Sequence, residues 1–297
     1  MIARLDRGSA AAARGLSDVA VRNLFIIPTL AFLIVFNIFP LIYSLGYSFH
    51  EFNAASGAPA RWVGLQNYRD LLEDEHVWNN FTVTAKYVLI SVTGQVVVGF
   101  GLALMLNRDV PFKGLVTTLL MLPMMMSAAV VGLFWQLLYS PSWGVINFVF
   151  GLGDFAWLSD PDVALYAVAI TDIWMWAPFV MLLSLAGLSA VPKQLYEAAA
   201  IDRAGTWYTF SRITLPLVAP LLLIAIIFRT MEAFKTFDLA YIMSTQPTTE
   251  LVAIRLYKLA FQEWQTGKSC ALAYIVLIMV LGITNIYVRY LNKIKER

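Results

Sequence analysis

The stretch Val163-Ala-Leu-Tyr-Ala-Val-Ala-Ile-Thr-Asp172-Ile-Trp174-Met-Trp176-Ala-Pro178-Phe-Val-Met-Leu-Leu-Ser-Leu-Ala-Gly-Leu188 runs for 26 residues with one charge, Asp172. An α-helix needs about 20 mostly apolar residues to cross the hydrocarbon core of a bilayer, so this segment is long enough to span one. Five further stretches meet the same test, at residues 24–49, 81–106, 115–139, 217–243 and 270–290. Prolines interrupt the first (Pro28, Pro40) and the fourth (Pro178), which membrane helices tolerate when neighbours re-satisfy the freed backbone. A transmembrane barrel would instead show alternating segments of about 10 residues. The first stretch is too long for a signal-peptide core, and more than 20 residues precede it. The expected fold is an all-α, polytopic membrane protein with six transmembrane helices.

Composition points the same way. The chain is 60% hydrophobic and 13% charged over 297 residues, with a mean hydropathy of +0.70, where soluble domains carry about 25% charged residues. A single cysteine, Cys270, leaves no disulfide framework, and two histidines, His50 and His76, leave little for a zinc site. A net charge of +2 makes no case for nucleic-acid binding. Gly267-Lys268-Ser269 ends like a phosphate-binding loop, but the glycine required five residues earlier is Gln262. No nucleophile elbow, zinc-helix motif or paired-carboxylate arrangement appears, so no catalytic machinery is expected.

Basic residues set the orientation. With the N-terminus inside, thirteen of the 21 Lys and Arg fall on the cytoplasmic side, and Arg61, Arg69, Arg255, Lys258 and Lys268 fall outside. Six spans then place both termini in the cytoplasm, as tails at residues 1–23 and 292–297 flanking a six-span transmembrane domain at 24–291.

Charges at span depth are costly and mark function by default. Arg229, Glu232, Lys235 and Asp238 stand three apart with alternating sign, a spacing that lets neighbours pair along one helix face. They either neutralise one another there or, as an ion or proton relay, drive a self-sufficient secondary transporter. Lys86 near a span end can snorkel. Asp172 and Trp176 share a face of the fourth span. A carboxylate beside an aromatic ring suits a sugar, whose C–H face packs on the ring while its hydroxyls bond the acid. Trp174 and Trp176 read equally as packing or interfacial aromatics.

Between the fourth and fifth spans, a loop at about 189–216 is unexpectedly apolar. Residues 195–204 predict a short helix with Leu195, Ala198, Ala199 and Asp202 at helical spacing and Gly205 as its C-terminal glycine. Glu197-Ala198-Ala199, a following glycine and Ile213-x-Leu215-Pro216 resemble the EAA motif of ABC importer permeases. The resemblance continues through Trp62-Val63-Gly64-Leu65-Gln66-Asn67-Tyr68, Leu122-Pro123-Met124-Met125, Ala156-Trp157-Leu158-Ser159-Asp160-Pro161, Pro178-Phe179 and Phe237-Asp238-Leu239. It is similar to the maltose-transporter type of sugar permease. In two places the sequence departs from that pattern: Arg203 stands where the motif carries glycine, and residues 244–249 replace a Gly-Gly-rich turn.

The resemblance implies one half of a heterodimeric pore in a bacterial inner membrane, working by alternating access. Its partners would be a second permease, two copies of a cytoplasmic ATP-binding subunit that hold ATP and Mg, and an extracytoplasmic solute-binding protein. No cofactor would bind this chain. The loop helix would couple to the ATPase through Glu197, Ala198, Ala199, Asp202 and Gly205. A sugar or polyol would be lined by Met124 and Ala128, by Asp172, Met175, Trp176 and Phe179, and by Arg229, Ala233 and Thr236. Arg229 also raises an anionic solute such as glycerol phosphate or an acidic sugar, because guanidinium pairs bidentately with such groups.

Overall fold

The computed structural model describes residues 18–108, 110–243 and 246–295. Most of the predicted N-terminal tail, Ser244 and Thr245 of the departing turn, and the last two residues lie outside that range. Five continuous helices are long and apolar enough to span: Arg22–Ser48, Glu75–Leu106, Ala164–Ser189, Thr206–Phe234 and Thr266–Lys293. They are the first, second, fourth, fifth and sixth spans. The third is two helices, Lys113–Met125 and Ala128–Leu138, bent by 97° at an extended Met126–Ser127. The unbroken run expected at 115–139 is therefore a sharply bent helix pair, a broken span or a re-entrant loop, a form that irregular backbone takes inside a membrane only where protein or a cavity surrounds it.

Two other boundaries differ from expectation. The second span starts at Glu75, six residues early, because Asp74 caps it by accepting the His76 N–H at 2.8 Å. The fifth starts at Thr206 and stops at Phe234. Lys235 leaves the helical region, and a separate helix, Asp238–Met243, begins with its acidic residue in the first turn. Asp238 is thus not on the same helix as Arg229, and the expected four-charge face does not form.

Helix association in lipid relies on close packing rather than on a hydrophobic drive, so small residues set the interfaces. The second and fourth spans illustrate it. A Cβ on Gly99 would lie 2.4 Å from the Ala177 carbonyl oxygen, and one on Gly94 would lie 2.2 Å from Ile173 Cδ1. Gly187 meets Val218 of the fifth span at 3.0 Å in the same way. The first span stands apart. No residue of its most apolar stretch is buried, and it touches the body mainly at the sixth span, where the Tyr274 hydroxyl donates to the Leu41 carbonyl.

At the end of the bundle away from the 193–201 helix, a small cap closes the first, second and sixth spans. His50–Glu51 pairs with Arg61–Trp62 antiparallel, with His50 opposite Trp62. Asn67, on the helix Gln66–Glu73, donates to the Ser48 and His50 carbonyls at 2.9 Å each. Lys268 lies 3.1 Å from Asp70, and its hydrogen bond holds that carboxyl below its usual range. The Gly267 N–H reaches the Phe52 carbonyl at 3.2 Å, and a Cβ there would sit 2.0 Å from the His50 carbonyl oxygen. The glycine of the failed phosphate-loop match therefore serves a backbone crossing.

Candidate substrate cavity and coupling surface

The close approach allowed by Gly94 and Gly99 brings Gln95 of the second span against Asp172 of the fourth. Gln95 Nε2 donates to Asp172 Oδ2 at 2.7 Å, and its Oε1 accepts from Arg229 Nε at 2.9 Å. Arg229 Nη2 stands 3.5 Å from Asp172 Oδ1. The ring closes with three spans contributing one side chain each, and all three residues are buried. The guanidinium lies over the Trp176 ring at 4.4 Å, the geometry of a cation–π contact. Removing two charges from water is tolerated here because each has the other as partner and the Gln95 amide adds one hydrogen bond to each.

Against this ring lies a cavity of about 140 Å³, lined by Ala128, Asp172, Met175, Trp176, Arg229, Glu232, Lys235, Thr236, Phe237, Asp238 and Leu239. Six of the nine residues expected to line a substrate share its wall: Ala128, Asp172, Met175, Trp176, Arg229 and Thr236. The other three do not. Met124 precedes the break of the third span, Phe179 is half-buried on the fourth, and Ala233 is fully buried in the core. Of the four-charge row, Lys235 pairs with Glu232 at 2.7 Å in an exposed contact, while Arg229 turns to Asp172. Trp174 packs edge-on against Trp135 at 5.6 Å instead of facing the cavity. Gln95 was invisible as a site residue, a neutral amide in an apolar run. Asking which group could satisfy both Asp172 and Arg229 would have singled it out.

At the opposite end of the fifth span, the loop helix spans Lys193–Ile201, shorter than the expected 195–204. Its end is a Schellman motif: Ala204 N–H bonds the Ala199 carbonyl at 2.8 Å and Arg203 N–H bonds that of Ala200 at 3.1 Å. Arg203 itself takes the left-handed φ of +52°. Gly205 does not end this helix; it is the extended residue that starts the next one. The turn is thus made where the motif places glycine, with arginine bearing the strain. Arg203→Gly is expected to stabilise the protein by about 1 kcal/mol, the scale of the left-handed penalty, read as a higher melting temperature in detergent. An unchanged or lower temperature would contradict the strain.

Ala199 is buried against its own chain, whereas Glu197, Ala198 and Asp202 are exposed. Glu197, Ala198 and Asp202 are therefore on the outward side, with Ala199 serving to seat the helix. Beside them lies an apolar patch of Leu195, Ile201, Trp207 and Tyr208, with Ile201 83% and Trp207 77% exposed. Tyr196 ties the helix to the start of the fifth span through a 3.1 Å contact between its hydroxyl and Thr214 Oγ1. One core beneath it joins Ala103 and Leu106, Met181 and Leu188, and Val218. Those residues belong to the second, fourth and fifth spans, the same three that supply Gln95, Asp172 and Arg229.

Residues 95–294 match the family model of the binding-protein-dependent transport system inner membrane component. The chain belongs to that family. It is a multi-pass inner-membrane permease, a translocation subunit of the ABC transporter class. It is 32% identical over 276 residues to the trehalose/maltose transport system permease of Thermococcus litoralis, covering 90% of this chain and 92% of that protein. It is equally identical to the sulfoquinovosyl glycerol transport system permease of Agrobacterium fabrum, over 89% of this chain and 86% of the other. Its fold is similar to a crystal structure of a bacterial ABC transporter involved in the import of the acidic polysaccharide alginate. That match has a TM-score of 0.80 at 22% identity, over 92% of this chain and 95% of the other.

Proposed function

We propose that this permease imports a neutral sugar or short oligosaccharide, driven by ATP hydrolysis in a separate subunit. The observation that carries the reading is mechanical. The exposed helix Lys193–Ile201 is seated on a core shared by the same three spans that meet in the Gln95–Asp172–Arg229 ring, so a displacement at one end reaches the other through rigid helices. An ATP-binding subunit, present twice with its ATP and Mg, docks on Glu197, Ala198, Ile201 and Trp207, and both termini share its side of the membrane. A cavity of about 140 Å³ falls below the roughly 300–1,000 Å³ of small-molecule sites. A second permease completes it. An extracytoplasmic binding protein delivers the sugar to loops within 51–80, 140–162 and 244–269.

Charge favours a neutral solute. The cavity wall carries Asp172, Glu232 and Asp238 against Arg229 and Lys235, and Arg229 is already engaged by Asp172 and Gln95. The guanidinium that suggested an anionic substrate spends its Nε and Nη2 on Gln95 and Asp172, which weighs against an anionic solute. The same pairing engages Arg229 and Asp172, two of the groups an ion relay would use. Relatives named for trehalose/maltose and trehalose transport support a glucoside, while the equally identical relative named for sulfoquinovosyl glycerol supports an anionic sugar derivative as the second reading.

In the reconstituted importer, Glu197→Lys with Ala198→Glu is expected to insert normally and to lower sugar-stimulated ATPase at least about tenfold, equivalent to 1.4 kcal/mol of lost coupling. Normal stimulation in the double variant would refute docking on this face.

A further inference from the structure

We infer that Tyr87 and Ser91 of the second span are positioning residues for transport, whose hydroxyls hold the Asp172 carboxylate while Arg229 moves away from it. The role depends on the ATP-driven reading above and not on which solute is moved. The second span carries one polar stripe, Asn80, Thr84, Tyr87, Ser91 and Gln95, at helical spacings of three and four. All five are buried. A buried polar group is costly unless it is bonded, and three of the five are bonded to another segment. Asn80 donates to the Glu250 carbonyl and Thr84 Oγ1 accepts the Val252 N–H, each at 2.9 Å. Gln95 holds Asp172 and Arg229. Tyr87 and Ser91 are the exceptions. They stand beside the Asp172 carboxylate, yet neither hydroxyl completes a hydrogen bond among the described residues.

Buried hydroxyls left open beside a carboxylate call for an explanation, and a second arrangement of the ring supplies it. Asp172 has capacity to spare. Its Oδ2 takes the Gln95 amide at 2.7 Å, whereas Arg229 Nη2 is 3.5 Å from Oδ1, longer than the about 2.7–2.9 Å of a full charge-assisted bond. The packing decides which partner can leave. Gly94 and Gly99 seat the second span against the fourth, the most extensive helix pairing among the described residues. Tyr87, Ser91 and Gln95 therefore travel with Asp172. Arg229 belongs to the fifth span, which packs less extensively on either one and is tied to the loop helix through Tyr196 and Thr214. A displacement of the loop helix thus shifts Arg229 against the other two spans. Separating a buried pair leaves a charge without its partner. Two O–H donors that stay with Asp172 lower that cost during the movement without removing it, so the ion pair remains the resting arrangement.

The test compares Tyr87→Phe, Ser91→Ala and the double variant with wild type in the reconstituted importer. Co-purification of the second permease and the melting temperature report the resting complex. Maximal ATP turnover and the KM for uptake of labelled trehalose and maltose report the cycle. The hydroxyls bond nothing at rest, so their removal should leave assembly and melting temperature unchanged. Maximal turnover of the double variant should fall about tenfold, the scale of one hydrogen bond to a charged group, at unchanged KM. Wild-type turnover in the double variant would overturn the positioning role. A raised KM would overturn it too, by placing the hydroxyls on the solute. So would a lower melting temperature or a lost partner permease, which would make them part of the resting fold. If the wild-type complex hydrolyses ATP but takes up neither sugar, the sugar reading fails, and the turnover comparison still decides the role of Tyr87 and Ser91.

Discussion

Arg229→Ala is expected to remove most of the folded permease from the membrane. The substitution leaves Asp172 buried without its cation, a change that costs about 3–5 kcal/mol when one partner of a buried pair is lost. That is comparable to much of the stability of an ordinary domain. Asp172→Asn with Arg229→Gln removes both charges together and leaves Gln95 hydrogen-bonding to amides on either side. The double variant should therefore recover assembly that the single variant loses. Size-exclusion profiles of tagged protein in mild detergent give the comparison. Wild-type yield from Arg229→Ala would mean that the ring Gln95–Asp172–Arg229, with contacts of 2.7, 2.9 and 3.5 Å, does not hold the three spans.

Gly99→Val should be as damaging for a different reason. Its new Cβ meets backbone, the Ala177 carbonyl oxygen at 2.4 Å and the Met181 nitrogen at 2.9 Å, so no side-chain rotation relieves the clash. Overpacking in a core costs about 1–3 kcal/mol and more where backbone must shift. Gly101→Val is the matched control. Nothing lies within 4 Å of a Cβ there, and its effect should stay within about 0.5 kcal/mol. Equal yields of the two variants would contradict glycine-mediated contact between the second and fourth spans.

The sequence exposed its spans through hydropathy alone, because a membrane demands long uninterrupted apolar runs. It hid their interruptions for the same reason. Met126–Ser127 breaks the third span within a run apolar enough to read as continuous, and Pro123, the one visible breaker, lies inside the preceding helix. Lys235–Phe237 ends the fifth span where alternating charges suggested one continuing face. Asp172 and Arg229 stood out because charge at span depth is costly, but their pairing required a third dimension that spacing along one helix cannot supply. Gln95 gave no such signal. The loop helix was legible from Glu197-Ala198-Ala199, yet which alanine faced inward depended on the seat beneath it, and Arg203 took a backbone conformation that pointed to glycine. Ile201 and Trp207 read as ordinary apolar residues until their exposure was visible.

As one subunit of an ATP-driven sugar importer, this chain should not stand alone in its membrane. Extracted with a tag in mild detergent and examined by mass spectrometry for what accompanies it, it is expected to bring an ATP-binding subunit and a second permease in the same complex. A chain that arrives alone, and moves solute in liposomes under an ion gradient without ATP, would contradict that assignment.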